Sequence, residues 1–220
     1  HLSEWIDSWR LDKYGNRRDC QASNCGGYTL EAELKVKPNG YSEPDFLGWE
    51  IKQFNTTEFN KKIKSQVITL MTPEPDGGIY CTDGIDFFIR KYGYSDSKTE
   101  DRLNFGGIYK NESEPHHKTH LKLRIEGYDF DLDKIINVNG FIALIDPRMN
   151  IAASWSFRDL LKHWNRKHNL ACYIPSRKRI IPRLQYHYGS NVLMGSGTDF
   201  TLFLKQIYQG NIYYDPGIKL

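Results

Sequence analysis

The sequence predicts an α/β (α+β) chain with a mixed β-sheet core flanked by helices. Stretches with helical and with strand periodicity follow one another along the chain. Short β-type runs are separated by Gly, Pro, Asn and Asp turns, as in hairpins. The 220 residues are 39% hydrophobic and 26% charged, a globular composition with enough chain to bury a core without disulfides or a structural metal. That length suits one domain, or two small lobes sharing a cleft.

The elements follow in order. Trp5, Ile6 and Trp9 fall on one side of a short amphipathic helix over Ser3 to Lys13. Asn24-Cys25-Gly26-Gly27 is a turn, and Thr29 caps a helix through Leu30, Ala32 and Leu34 that Pro38-Asn39-Gly40 stops. Pro44 to Phe54 reads as two short strands around Gly48. In the second, Trp49, Ile51 and Gln53 share one face, and Glu50, Lys52 and Phe54 the other. Lys61 to Thr69 turns from polar to apolar, residues 72–78 form a rigid loop, and Ile79 to Cys81 is a short strand. Ile85, Phe88, Ile89 and Tyr92 recur at helical spacing.

Strands follow at Phe105 to Tyr109, Thr119 to Ile125 and Phe141 to Ile145, the last pairing with Ile151 to Ser154. Ser156 and Asp159 make a Ser-x-x-Asp helix start, with Phe157, Leu160, Leu161, Trp164 and His168 inward. A strand at Leu170 to Ile174 leads into a basic loop from Pro175 to Pro182, then a strand around Tyr186 to Met194. Thr198 caps a last helix closed by Gly210, and Ile212 to Tyr214 forms a final strand.

No run approaches the roughly 18 apolar residues of a membrane span. The chain opens on His, without a charged stretch followed by an apolar one. A fragment of a longer chain is expected, which leaves room for an additional N-terminal domain. The four cysteines, Cys20, Cys25, Cys81 and Cys172, form no C-x-x-C pair. They read as reduced structural thiols of a cytoplasmic protein, with a zinc site at Cys20 and Cys25 as the minor alternative. His116, His117 and His120 read as an exposed loop. Net charge is only +3, but it is unevenly spread. From Leu160 to Thr198 there is no Asp or Glu, while Lys162, Arg166, Lys167, Arg177, Lys178, Arg179 and Arg183 are all present. Such a stretch is the footprint of a polyanion, nucleic acid being the commonest. The plainer reading is a solvated helix face plus a basic loop.

The segment that carries chemistry is Glu43-Pro44-Asp45-Phe46-Leu47-Gly48-Trp49-Glu50-Ile51-Lys52. Residues two apart on a strand share a face, so Glu50 and Lys52 project side by side, and Asp45 arrives from the preceding strand. Two carboxylates and the Ile51 carbonyl offer hard oxygen ligands suited to Mg²⁺, for which Mn²⁺ can substitute. Lys52 stands where it could orient or deprotonate a water. As a bare spacing, Asp-x₄-Glu-x-Lys also describes a surface salt-bridge ladder. The apolar flanks argue against that, because a buried strand makes charges costly unless they hold a cation.

Further blocks accompany the motif. Gly26-Gly27-Tyr28-Thr29-Leu30-Glu31-Ala32, Lys37-Pro38-Asn39-Gly40, Glu43-Pro44-Asp45-Phe46 and Gly48-Trp49-Glu50-Ile51-Lys52 together resemble the MvaI/BcnI family of type II restriction endonucleases. Leu70-Met71-Thr72-Pro73-Glu74-Pro75, Gly78-Ile79-Tyr80, Trp164-Asn165-Arg166-Lys167-His168 and Tyr214-Asp215-Pro216-Gly217 continue the likeness more loosely. The resemblance implies a restriction-endonuclease-like fold related to the mismatch-repair nickase MutH. It implies a monomeric two-lobed clamp, with residues 1–100 mainly catalytic and 101–220 mainly for DNA recognition with some return to the catalytic core. It further implies Mg²⁺-dependent cutting of double-stranded DNA, one strand at a time, at CC(A/T)GG or CC(C/G)GG sites, in the bacterial cytoplasm. Asp45 and Glu50 would be the metal ligands, Lys52 the catalytic lysine and Glu31 an extra helix carboxylate. Candidates for DNA contact are Arg177, Lys178, Arg179, Arg183, His187 and Lys167, with Arg183 and His187 favoured for bases. Other readings stand beside this one. The chain could be a DNA-binding module or the catalytic part of a larger effector-regulated enzyme, or a MutH-like repair nickase. A two-carboxylate glycosidase is a further reading, and it gives Lys52 no role.

Overall fold

The computed structural model describes residues 4–36, 44–59, 67–111 and 113–220. In chain order its elements are β1 (Ile6–Asp7), β2 (Trp9–Leu11), β3 (Arg17–Asp19), α1 (Cys25–Glu33), β4 (Glu50–Asn55), α2 (Ile79–Thr82), α3 (Ile85–Tyr92), β5 (Tyr94–Ser95), β6 (Leu103–Gly106), β7 (Lys122–Glu126), β8 (Tyr128–Asp129), β9 (Lys134–Ile135), β10 (Phe141–Ile145), β11 (Ile151–Ser156), α4 (Phe157–His168), β12 (Leu170–Arg179), β13 (Gln185–Tyr188), β14 (Leu193–Ser196), α5 (Phe200–Tyr208) and β15 (Gly217–Lys219). The class is mixed α and β. None of the described helices is long and apolar enough to cross a membrane.

Two units are each compact: residues 1–72 with 163–198, and residues 73–162 with 199–220. Both are discontinuous in sequence. The cause lies in one pairing. β4 and β12 run parallel, with Glu50 opposite Ala171 and Lys52 opposite Tyr173, and parallel neighbours require a crossover. The larger segment of the second unit, residues 73–162, lies within that crossover.

In the first unit, β12 is the central strand. β4 lies along one edge of it. The return strand along the other edge is interrupted at residues 189–192, so the expected strand over Tyr186 to Met194 becomes β13 and β14. β1 extends the sheet beside β13. Ile51, Ile174, Tyr186 and Tyr188 pack with Leu30, Cys20 and Cys25 into one core. The second unit holds the antiparallel sheet β11-β10-β7 and the small sheet β15-β6-β5. Its core includes Phe88, Phe105, Tyr109, Leu121, Leu144 and Leu204.

Several local expectations are corrected. Residues 4–13 form β1 and β2 instead of a helix. Ile6 pairs with Tyr186, and Trp9 with Asp19 across a turn in which Asp12 Oδ1 accepts the Tyr14 and Asn16 N–H groups. Pairing with distant strands overrides a weak helical spacing. α1 begins at Cys25, four residues before Thr29. Thr29 is buried inside it and exchanges hydrogen bonds with the backbone of Trp9. Cys20 and Cys25 are not reduced thiols but a disulfide, because the start of α1 brings their Cα atoms to 5.7 Å. Cys81 and Cys172 are free.

Residues 79–82 form a helical turn instead of a strand. Gly78 precedes it at φ 78°, where a Cβ would lie 2.9 Å from the Ile151 carbonyl oxygen. The basic loop is strand through Arg179, since residues 176–179 find partners in β13 while their charges stay exposed. Asp199, not Thr198, caps α5, accepting the Leu202 N–H at 2.9 Å. Leu161 is partly exposed on α4. Tyr214 makes only a bridge to Tyr109, and the last strand is β15. The stop at Pro38-Asn39-Gly40 and most of the segment Lys61 to Thr69 lie outside the described residues.

Candidate active site

The site grows from a tight turn. Phe46 and Trp49 exchange both backbone hydrogen bonds, at 3.0 and 2.8 Å, around Leu47 and Gly48. Both central residues have positive φ, 50° and 81°, the conformation that matches strand twist in a two-residue hairpin. The expected strand before the turn is reduced to this one bridge. Asp45, just ahead, folds its carboxylate back so that Oδ2 accepts the Ile51 N–H at 2.8 Å. That bond fixes the acid against the first residues of β4.

Glu50 opens β4 and is only 2% exposed. A buried carboxylate needs charge-assisted partners, and it has two. Lys52 Nζ lies 2.7 Å from Oε1, and Lys167 Nζ lies 3.0 Å from Oε2. Lys52 comes from the same strand. Lys167 comes from the last turn of α4, 117 residues away in sequence.

Glu31 sits on α1 near this group. Burial pushes its carboxyl up to about 7, and the nearby Asp45 adds to the shift. Burial also raises Asp45, against the pull of the Ile51 N–H. The helix reaches this position because Gly26 has no side chain. A Cβ there would lie 2.6 Å from Gln53 Oε1 on β4.

A small cavity of about 150 Å³ opens on the charged face, lined by Glu50, Lys52, residues 69–72, His163 and Lys167. His168, next to Lys167, is buried and stacks on Trp164 at 4.3 Å. Its Nε2 hydrogen-bonds the Leu70 carbonyl at 2.9 Å, and burial lowers its pKa. His168 thereby ties α4 to the cavity wall. The sequence marked it only as an inward position or a helix-end cap, because a bond to a carbonyl 98 residues away leaves no local signature.

Among the described residues, no three His, Cys, Asp or Glu side chains are grouped to hold a metal ion. Mg²⁺ needs less than that, since it is commonly held by one or two carboxylates, waters and substrate phosphates. Asp45 and Glu50 supply such oxygens, and Glu31 adds a third carboxyl near them. The residues present therefore fit a hard divalent cation. Residue Glu43 of the motif and the block Lys37-Pro38-Asn39-Gly40 lie outside the described residues.

The DNA-contact candidates divide. Lys167 is at the acidic site. Arg177, Lys178 and Arg179 are exposed on the outer half of β12. Arg179 lies over the Trp5 ring at 4.6 Å and donates to Gln185 Oε1. Arg183 pairs with Asp7 at 2.8 Å. His187 sits between Trp5 and Phe59, with ring centroids 5.6 and 5.0 Å away. The histidines 116, 117 and 120 belong to the second unit.

The restriction endonuclease MvaI, solved in complex with its cognate DNA substrate, is similar to this chain with a TM-score of 0.66 and 19% identity, covering 94% of this chain and 76% of that one. MvaI in the absence of DNA matches with a TM-score of 0.42 and 17% identity, over 68% and 64% of the two chains. No curated protein sequence matches. The model of the MvaI/BcnI restriction endonuclease family matches residues 3–220, nearly the whole chain. A site-specific nuclease in a fold shared with MvaI, the chain belongs to the MvaI/BcnI restriction endonuclease family.

Proposed function

We propose that this protein is a Mg²⁺-dependent type II restriction endonuclease, with Mn²⁺ able to replace Mg²⁺. It cuts double-stranded DNA as a monomer in the bacterial cytoplasm, one strand at a time, at a short pseudopalindrome of the CC(A/T)GG or CC(C/G)GG type. One observation carries this reading: a buried Glu50 at the start of β4, with Lys52 on its Oε1 and Asp45 anchored on the Ile51 N–H.

Asp45 and Glu50 would hold the ion, together with the Ile51 carbonyl. When bound, the ion supplies charge neutralisation at the scissile phosphate and makes water more acidic. Lys52 would orient the attacking water through its ammonium and stabilise the negative charge that develops as the water attacks the phosphate. Glu31 adds negative charge that draws the cation in and can hold a proton. We assign phosphate and base contact to the outer half of β12 and to β13. Arg177 and Lys178 are the readiest contacts, while Arg179, Arg183 and His187 must first give up internal partners.

Digestion of plasmid DNA with Mg²⁺, followed by run-off sequencing of the fragments, gives site and cut position together. Asp45→Ala and Lys52→Ala should abolish cutting and leave gel-shift binding largely intact. Normal cutting by either variant would overturn the assignment. Binding by the wild-type protein with no product in Mg²⁺ or Mn²⁺ would favour a DNA-binding module instead.

A further inference from the structure

We propose that Lys167 is a displaceable counter-ion of the site: it holds Glu50 Oε2 while the metal is absent, yields that oxygen to the ion, and then turns its ammonium to the DNA phosphate. The proposal rests on the reading of Glu50 as a metal ligand.

The geometry favours exchange at this oxygen. Both oxygens of Glu50 are engaged by ammonium groups, at 2.7 Å from Lys52 and 3.0 Å from Lys167. Each oxygen keeps a further lone pair, but an ion sharing Glu50 with both ammonium groups would lie beside two positive charges. Lys52 shares the strand with Glu50, and β4 is pinned along its length by β12. Lys167 comes from another element, at the end of a helix. Its contact is the longer of the two, and its side chain lines the cavity that also reaches Glu50 and Lys52. It therefore has somewhere to go.

Charge balance points the same way. Among the described residues, Asp45, Glu50 and Glu31 supply at most three negative charges against the two positive ones of Lys52 and Lys167, so the metal-free cluster carries at most one unpaired negative charge. A divalent cation added with both lysines in place would leave uncompensated positive charge in a largely buried site, which is costly. Withdrawal of Lys167 toward an incoming phosphate removes that cost at the acid and makes a charge-assisted contact with the substrate. Metal and DNA would then favour each other's binding, each drawing on the same lysine.

The test uses Lys167→Met and Lys167→Gln in the full chain, both checked for folding by thermal melts. Mn²⁺ binding to DNA-free protein, followed by electron paramagnetic resonance, should tighten roughly tenfold in both variants, the order expected when one close unit charge leaves a partly screened site. Binding of a cognate duplex without metal should weaken, with the salt slope falling by about one. Single-turnover cleavage should slow. A merely structural salt bridge would move stability and leave Mn²⁺ affinity unchanged or weaker, and that result in either folded variant overturns the proposal. Should the wild-type protein bind no Mn²⁺ and cut no DNA, the metal-ligand reading of Glu50 fails, and this proposal with it. Wild-type cutting alongside unchanged Mn²⁺ affinity in the variants refutes the counter-ion role alone.

Discussion

Replacing Lys52 with Met separates the structural from the chemical role of the site. The substitution keeps most of the side-chain volume and removes the ammonium 2.7 Å from Glu50 Oε1. Stripping a buried carboxylate of every partner typically costs about 3–5 kcal/mol. Glu50 would keep Lys167 on Oε2, so the loss reduces to one charged hydrogen bond, about 1–3 kcal/mol. Urea denaturation at neutral pH, followed by circular dichroism, reads that loss as a lowered midpoint with unchanged slope. Cleavage should fall much further, by about 10³-fold or more, the scale of removing a group aimed at the transition state. DNA binding in Ca²⁺ should stay within a few-fold. Lys52→Met combined with Lys167→Met leaves Glu50 without either ammonium, so the double variant should lose more than the sum of the singles. Wild-type cleavage by Lys52→Met would refute the chemical role. A stability loss under about 0.5 kcal/mol, with strict additivity in the double variant, would refute the buried pairing, since values that small belong to exposed pairs.

Other perturbations test separate parts of the molecule. The Glu31 carboxyl is raised to about 7 from 4.5, so between those values the folded protein holds a proton that the unfolded chain has lost. Its contribution to stability therefore falls as pH rises through that window. Glu31→Gln should flatten the decline and stabilise metal-free protein at pH 8, read as a higher Tm than wild type there and no gain at pH 4. In the second unit, Asp146 is buried; despite that burial, hydrogen bonds from Asn150, Arg148 and Tyr92 hold its carboxyl below the usual range. That stability is present above the unfolded carboxyl pKa and is lost as pH falls through the folded one. Asp146→Ala should cost about 1–3 kcal/mol at neutral pH in a urea melt. Arg177→Ala and Lys178→Ala, at exposed positions of β12, should leave the melt unchanged while each lowers the salt slope of DNA binding by about one. An unaltered slope would remove that strand from the DNA interface.

Much of the fold was readable where signals are local. β10 and its pairing with β11 follow from an apolar run ended by Asp146-Pro147, and α4 from Ser156, which accepts the Asp159 N–H as its first turn requires. The misreadings cluster where a partner distant in sequence decides. Residues 4–13 have helical spacing but meet β13 and β3, so they become strands. Thr29 has the chemistry of a cap and is instead spent inside α1 on Trp9. The basic stretch after Pro175 looked like a loop because its charges suit solvent, yet an exposed hairpin strand suits them equally. At the site, Glu50 and Lys52 could be paired on paper because spacing on a strand determines their face. His168 and the true position of Lys167 could not, since both depend on how α4 returns to β4.

From its residues alone the chain determines a motif: two acids and an amine held within a few bonds of one strand, with family blocks around them in order. Covalent geometry makes that arrangement independent of the rest of the protein. Tertiary structure alone decided that a second lysine faces the same acid, that Cys20 meets Cys25, and that the units break at residues 72, 162 and 198. These follow from the parallel pairing of β4 with β12 and from the packing of α1 against the sheet. The free energy of such contacts belongs to pairs of surfaces, and no single stretch of sequence contains both.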